Sequence, residues 1–198
     1  MRKILLSISF FALILNSGCS STTSNNTLKK SVPNISNVSS IDSYRGKMLS
    51  YVNQIRTRGA VCAAPTTPLE WNRVLENAAK SHSIDMAESG VVSHAGSGSI
   101  YDPAKSAIGI GSTFIDRIKY FGYPVKPGLL VGENLSRTSI KLTKSDKLMP
   151  NFKMAIQNLI NDRPHCEIIM NPRFKDVGMY IVRKGNYYYF TMELGERL

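Results

Sequence analysis

The stretch Val177-Gly178-Met179-Tyr180-Ile181-Val182-Arg183-Lys184-Gly185-Asn186-Tyr187-Tyr188-Tyr189-Phe190-Thr191-Met192-Glu193-Leu194 changes the periodicity of the chain. Val177, Met179 and Ile181 alternate with their neighbours, Lys184-Gly185-Asn186 reads as a turn, and Tyr187 to Leu194 returns. Period two on both sides of a turn predicts an antiparallel hairpin.

Upstream the period is close to 3.6. Tyr44, Met48, Val52 and Ile55 predict a helix capped by Asp42 or Ser43 and ended by Gly59. Val74, Leu75, Ala79, His82 and Met86 predict a second, starting near Trp71 or Asn72 and stopped by Gly90. His82 falls on its inward stripe, where a core histidine bonded to backbone is expected. Ser112 is placed to cap a third helix presenting Phe114, Ile115, Ile118 and Phe121, with Gly122 as its stop. Leu129 to Leu135 reads as a short apolar strand interrupted by Gly132-Glu133-Asn134. Pro150 opens a fourth helix through Phe152, Ile156 and Leu159, and a helical turn is expected from Cys166 to Met170. Helices, a lone strand, another helix and a hairpin, without internal repeat, predict an α+β layered domain. Residues 95–111 are rich in Gly and Ser around an Asp102-Pro103 turn signal, and a loop of that length inside a compact domain often borders a site.

The amino terminus predicts export. Arg2 and Lys3 precede an apolar run from Ile4 to Leu15, and Ser17-Gly18 supply small residues before Cys19. Two readings of Cys19 stand: a lipid-modified terminus after cleavage, or an ordinary cysteine near a secretory cleavage site. Residues 1–18 are thus read as a signal peptide, 19–40 as a polar tether that anchors through lipid or is simply flexible, and 41–198 as the folded domain. The tether is poor in large apolar side chains and cannot offset its ordering entropy by burial. With Cys19 acylated, Cys62 and Cys166 are an even pair in an exported chain, which favours a disulfide; two buried free thiols are the alternative.

The chain carries 25 Lys and Arg against 14 Asp and Glu, a net charge of +11. That balance suits anionic envelope polymers or lipid head groups. The cations are scattered, with no interleaved aromatic residues for base stacking, so nucleic acid is excluded as a partner.

Three short motifs carry the chemistry: Ser93-His94 after the second helix, Gly132-Glu133-Asn134, and Pro164-His165-Cys166. Two imidazoles and a carboxylate are the ligand types of a zinc-like cation or of a metal-free proton-transfer site. The bland alternative is that Glu133 bonds loop amides while His94 and His165 fasten loop ends.

These motifs, with Val52-Asn53-Gln54-Ile55-Arg56, Pro68-Leu69-Glu70-Trp71-Asn72, Ser93-His94-Ala95-Gly96-Ser97, Arg117 with Gly122-Tyr123, and His165 through Phe174, resemble the CAP superfamily of cysteine-rich secretory proteins, antigen 5 and pathogenesis-related proteins, in its bacterial SCP form. The resemblance spans essentially residues 44–195. It implies a three-layer α-β-α sandwich with a small, mainly antiparallel sheet and an open cleft. The cleft floor of fuller members bears two His and two Glu; here His94, Glu133 and His165 match. Between Leu135 and His165 the only acids are Asp146 and Asp162, neither in a recognisable motif, so the second glutamate has no clear counterpart. Cys62 and Cys166 match the pair that bacterial relatives commonly use.

What the resemblance implies is ligand binding more than catalysis: a divalent cation such as zinc held by His94, His165 and Glu133, a sterol or fatty acid, or an envelope polymer or host protein. The alternative is a metal-dependent or His/Glu-based hydrolase of peptides or esters using the same three residues. The expected location is the bacterial outer membrane as a lipoprotein, or the periplasm, with secretion as the alternative.

Overall fold

The computed structural model describes residues 38–197; the expected signal peptide, Cys19 and most of the tether lie outside them. No helix among the described residues is long and apolar enough to cross a membrane. The elements in chain order are α1 (Val38–Arg58), β1 (Glu70–Trp71), α2 (Arg73–Ser89), α3 (Phe114–Tyr120), β2 (Val131–Ser139), α4 (Ile140–Thr143), α5 (Leu148–Asn161), α6 (Arg163–Met170), β3 (Asp176–Lys184) and β4 (Tyr187–Gly195).

The four strands form one sheet in the order β1-β3-β4-β2. β1 runs parallel to β3, and the two other pairings are antiparallel. The hairpin register pairs Lys184 with Tyr187, leaving Gly185 (φ 59) and Asn186 as a two-residue turn. Alternation then sorts the side chains onto two faces. Val177, Met179, Ile181, Phe190, Met192 and Leu194 pack with Met48 and Val52 of α1, Phe152 and Ile156 of α5 and Ile169 of α6. Their neighbours meet α2: Tyr180 against Ala79, and Tyr189 with Leu135 against Met86 and Ala87. The Ser83 hydroxyl closes that interface on Thr191 Oγ1 at 2.9 Å. Both faces of the sheet are covered, which is the expected α-β-α sandwich. At Gly178 the α2 backbone lies so close that a Cβ would sit 2.0 Å from the Glu76 nitrogen, so only glycine fits.

Local differences from the sequence reading have identifiable causes. α1 begins at Val38, before the anticipated cap. The cap of α3 is Thr113, whose hydroxyl accepts from Asp116 N while the Asp116 carboxylate accepts from Thr113 N; Ser112 is instead buried and bonded to Asp102 and Arg117. Gly132-Glu133-Asn134 does not interrupt its strand, since all three pair with β4. α6 starts at Arg163, with Pro164 in its first turn, where a missing N–H costs nothing. The caps at Asn72 and Gly90 (φ 74) fall where the sequence places them.

Cys62, in the loop after α1, is bonded to Cys166 of α6 across 104 residues of chain. Nearby, Arg56 is fully buried and donates to the carbonyls of Thr67, Ile169, Asn171 and Phe174. Burial lowers its pKa to about 10, yet it remains cationic at neutral pH and ties α1 to the end of α6.

Candidate functional site

β2 is one of the two edge strands, and the Gly-Glu-Asn motif sits near its start. Pleating puts Gly132 and Asn134 on one face and Glu133 on the other. Gly132 lies under α6 and the following loop, where a Cβ would meet Phe174 Cζ at 3.0 Å and Ile168 Cγ2 at 3.3 Å. Asn134 turns to the α6 side and donates to the His165 carbonyl at 3.2 Å. Glu133 points to the opposite face, toward α2 and α3, and is buried.

There the Glu133 carboxylate is held from two sides. His94 Nδ1 lies 2.8 Å from Oε1 and Arg117 Nη2 lies 2.6 Å from Oε2. Because a carboxylate only accepts, Nδ1 of His94 carries the proton. The same guanidinium donates to the His94 carbonyl at 2.9 Å, and to the Ser112 carbonyl and hydroxyl at 3.1 and 3.0 Å. His82, buried as its stripe predicts, donates Nε2–H to the Ser93 carbonyl at 2.8 Å and stands 3.9 Å from Glu133 Oε2.

Cross-strand pairing adds a group that lies outside all three motifs. Glu193 of β4 is the register partner of Glu133, so two carboxyl groups face each other on a buried surface. Glu193 is 0% exposed, and neither of its oxygens has an ordinary hydrogen-bond partner among the described residues. Burial, then the neighbouring Glu133 charge, pushes its pKa well above the usual 4.5. Burial also opposes ionisation of Glu133, but the His94 hydrogen bond and the Arg117 and His82 charges outweigh it and hold its pKa below the usual value. The His94 pKa is raised, chiefly by its bond to Glu133, while burial lowers that of His82. The cluster therefore carries one ionised and one neutral carboxyl group. An alternating-strand reading of Met192-Glu193-Leu194 could have flagged Glu193, because a carboxyl in a strand buried on both faces must be neutral or paired.

Opposite signs of shift give opposite pH dependences. In the unfolded chain Glu193 ionises near 4.5, whereas in the fold it stays protonated to much higher pH, so its contribution to stability falls as pH rises through that window. Glu133 contributes fully above 4.5 and loses its contribution as pH falls through its lowered folded value. Glu193→Gln is thus expected to raise stability at neutral pH and to flatten the decline above pH 4.5. Urea midpoints measured across pH check this; an unchanged slope would contradict it.

His165 is on α6, with Nδ1 3.3 Å from Asp162 Oδ2, and its backbone carbonyl accepts from Asn134 of the motif at 3.2 Å. Asp146 lies on the surface 3.9 Å from Arg183. Among the described residues no three His, Cys, Asp or Glu side chains form a set able to hold a metal ion. The donors also do not fit zinc chemically: one Glu133 oxygen is occupied by a guanidinium and the other by an N–H, and a dication would sit against the Arg117 charge.

A cavity of about 560 Å³ opens over this edge of the sheet. Phe114, Val131, Pro164, Ile168 and Phe174 supply apolar wall, while His94, Glu133, Glu167 and Asn171 are polar. An open, mainly apolar trough with a few polar groups, the His94–Glu133 pair among them, is a common form of a small-ligand site.

The sequence profile of the cysteine-rich secretory protein (CAP) family matches residues 49–194. No curated protein sequence matches the chain. Among solved structures, an extracellular SCP-domain protein from Bacillus anthracis is similar at a TM-score of 0.57 and 19% identity, over 79% of this chain and 41% of that one. The chain thus spans about two fifths of that protein. An outer surface protein from Borrelia burgdorferi is similar at 0.53 and 16%, over 82% of this chain and 96% of that one. NaASP2, crystallised with Zn2+, gives 0.49 and 16%, over 77% and 79%, a likeness from which nothing is carried over. Sheet order, covered faces, the motif positions and a profile match over most of the described residues agree: the chain belongs to the cysteine-rich secretory protein (CAP) family.

Proposed function

We propose that this chain is an exported binding module that holds a small amphipathic ligand in the cavity over β2. The apolar body rests on Phe114, Val131, Ile168 and Phe174, and the polar head meets the His94 end. One observation carries this reading: apolar walls surround the His94–Glu133 pair in a volume of about 560 Å³, within the range of roughly 300–1,000 Å³ common for ligand pockets. A raised His94 pKa favours an anionic or hydrogen-bond-accepting head, such as a carboxylate.

Binding is favoured over hydrolysis by the state of Glu133. A general base must be able to take a proton from a bound group, and both oxygens of Glu133 are already committed to His94 and Arg117. Among the described residues no Ser, Thr or Cys lines the cavity. Export through residues 1–18 and lipid attachment at Cys19 belong to the same reading, with an envelope polymer or a host protein as further candidate partners; Cys19→Ser is expected to shift the chain from the membrane to the soluble fraction.

The test is displacement of a fluorescent fatty acyl probe from the purified chain. Ile168→Asp, which puts a charge into the wall, is expected to abolish binding, and His94→Ala to weaken it about tenfold, the worth of one charge-assisted hydrogen bond. Equal probe affinity in all three proteins would sink the reading.

A further inference from the structure

The Gly/Ser-rich segment between α2 and α3 is a tightly built Ω-shaped loop, not a slack connection. Its ends meet where Gly96 N donates to the Ser112 carbonyl at 2.8 Å, and a Cβ on Gly111 would lie 1.8 Å from the Gly96 oxygen. Asp102 is buried within it, accepting from Ser112 Oγ at 2.6 Å, Ser112 N at 2.8 Å and Gly98 N at 3.2 Å. Asp85 of α2 fastens Ser97 through its amide at 2.8 Å and through its hydroxyl.

This rigid frame presents two β-turns side by side. Asp102 N donates to Ser99 O, and Ile110 N to Ala107 O, both at 3.2 Å; Gly109 (φ 83) gives the second turn a left-handed third position. Gly109 N donates to Gly98 O at 2.9 Å, joining the turns. The second residue of each turn is an isoleucine. Ile108 is 88% exposed, Ile100 67% and the adjoining Ile110 58%. Turn tips ordinarily take Gly, Pro, Asn, Asp or Ser, so three outward isoleucines on a pinned loop need a partner that rewards them.

We propose that this loop is a second interaction surface, separate from the cavity, that dips its isoleucines into the interfacial region of an anionic lipid bilayer. Charge argues for lipid. Between Glu88 and Asp116 the only carboxylate is Asp102, and it is buried, so no exposed acid in the segment opposes an anionic surface. Lys105 Nζ is fixed beside the first turn by the carbonyls of Ser99 at 2.7 Å and Asp102 at 3.3 Å, and the whole chain carries +11. The tip is aliphatic, without an outward Trp or Arg of the kind that anchors protein interfaces, while aliphatic tips with nearby cations suit membrane interfaces.

The purified full chain is mixed with phosphatidylglycerol vesicles whose acyl chains are brominated. An Ile108→Trp variant is expected to be quenched beyond the background of the native Trp71, whereas Val61→Trp, 89% exposed on the disulfide loop, is not. The Ile100→Ser/Ile108→Ser/Ile110→Ser variant should partition about tenfold more weakly or less, with an unchanged unfolding midpoint, and phosphatidylcholine should bind less well than phosphatidylglycerol. Absence of vesicle binding, binding without quenching at position 108, or equal affinity for both lipids would overturn the proposal; saturable capture of a protein by the loop without lipid quenching would do the same.

Discussion

Arg117→Met is expected to be strongly destabilising. It strips the guanidinium from a buried carboxylate and leaves the Glu133 charge with His94 as its remaining close partner; losing one member of a buried pair costs about 3–5 kcal/mol. For a domain of this size that is a fall of roughly 10 °C in melting temperature. The loss has a second component, since Arg117 also satisfies the carbonyls of His94 and Ser112. The two parts are separable. Arg117→Met combined with Glu133→Gln removes the stranded charge, so the pair should be less destabilised than the sum of the two single variants. Urea unfolding of the four proteins measures this, and a strictly additive result would show that the two side chains do not depend on each other.

Loss of the Cys62–Cys166 bridge is the second large effect. At a separation of 104 residues, the chain-entropy model gives about 4–5 kcal/mol as an upper bound. The bridge also holds α6 in place, and α6 carries the Pro164, Glu167 and Ile168 wall of the cavity. Cys62→Ala/Cys166→Ala, or reduction of the native chain, is therefore expected both to lower the urea midpoint and to weaken probe binding. Equal midpoints with and without reductant, or two titratable thiols in protein isolated under oxidising conditions, would contradict it.

How legible this was in the sequence depended on the range of the interaction. Period and capping chemistry are local, so the C-terminal hairpin, the Asn72 and Gly90 caps of α2 and the inward position of His82 could be read from neighbouring residues. In sequence Ser112 and Thr113 are both competent caps for α3; what decides for Thr113 is the distant Asp102, which takes the Ser112 hydroxyl. The reach of β2 through Gly132-Glu133-Asn134 was missed because a polar residue in an apolar run looks like an interruption. Its partners, Arg117 and the β4 ladder, lie far along the chain. Glu193 was passed over for the same reason, since only strand register brings it opposite Glu133. For His165 the motif gives the position in sequence, and the fold adds that its carbonyl accepts from Asn134.

In this account a guanidinium from the chain itself neutralises Glu133 and leaves the cavity to an amphiphile. Native mass spectrometry of the full chain, purified without chelator and then offered zinc and a long-chain fatty acid together, tests that most directly. The expected spectrum shows a fatty acid adduct lost in Ile168→Asp and no stoichiometric zinc. One zinc per chain, lost on Glu133→Gln or His94→Ala and accompanied by no fatty acid, would contradict it.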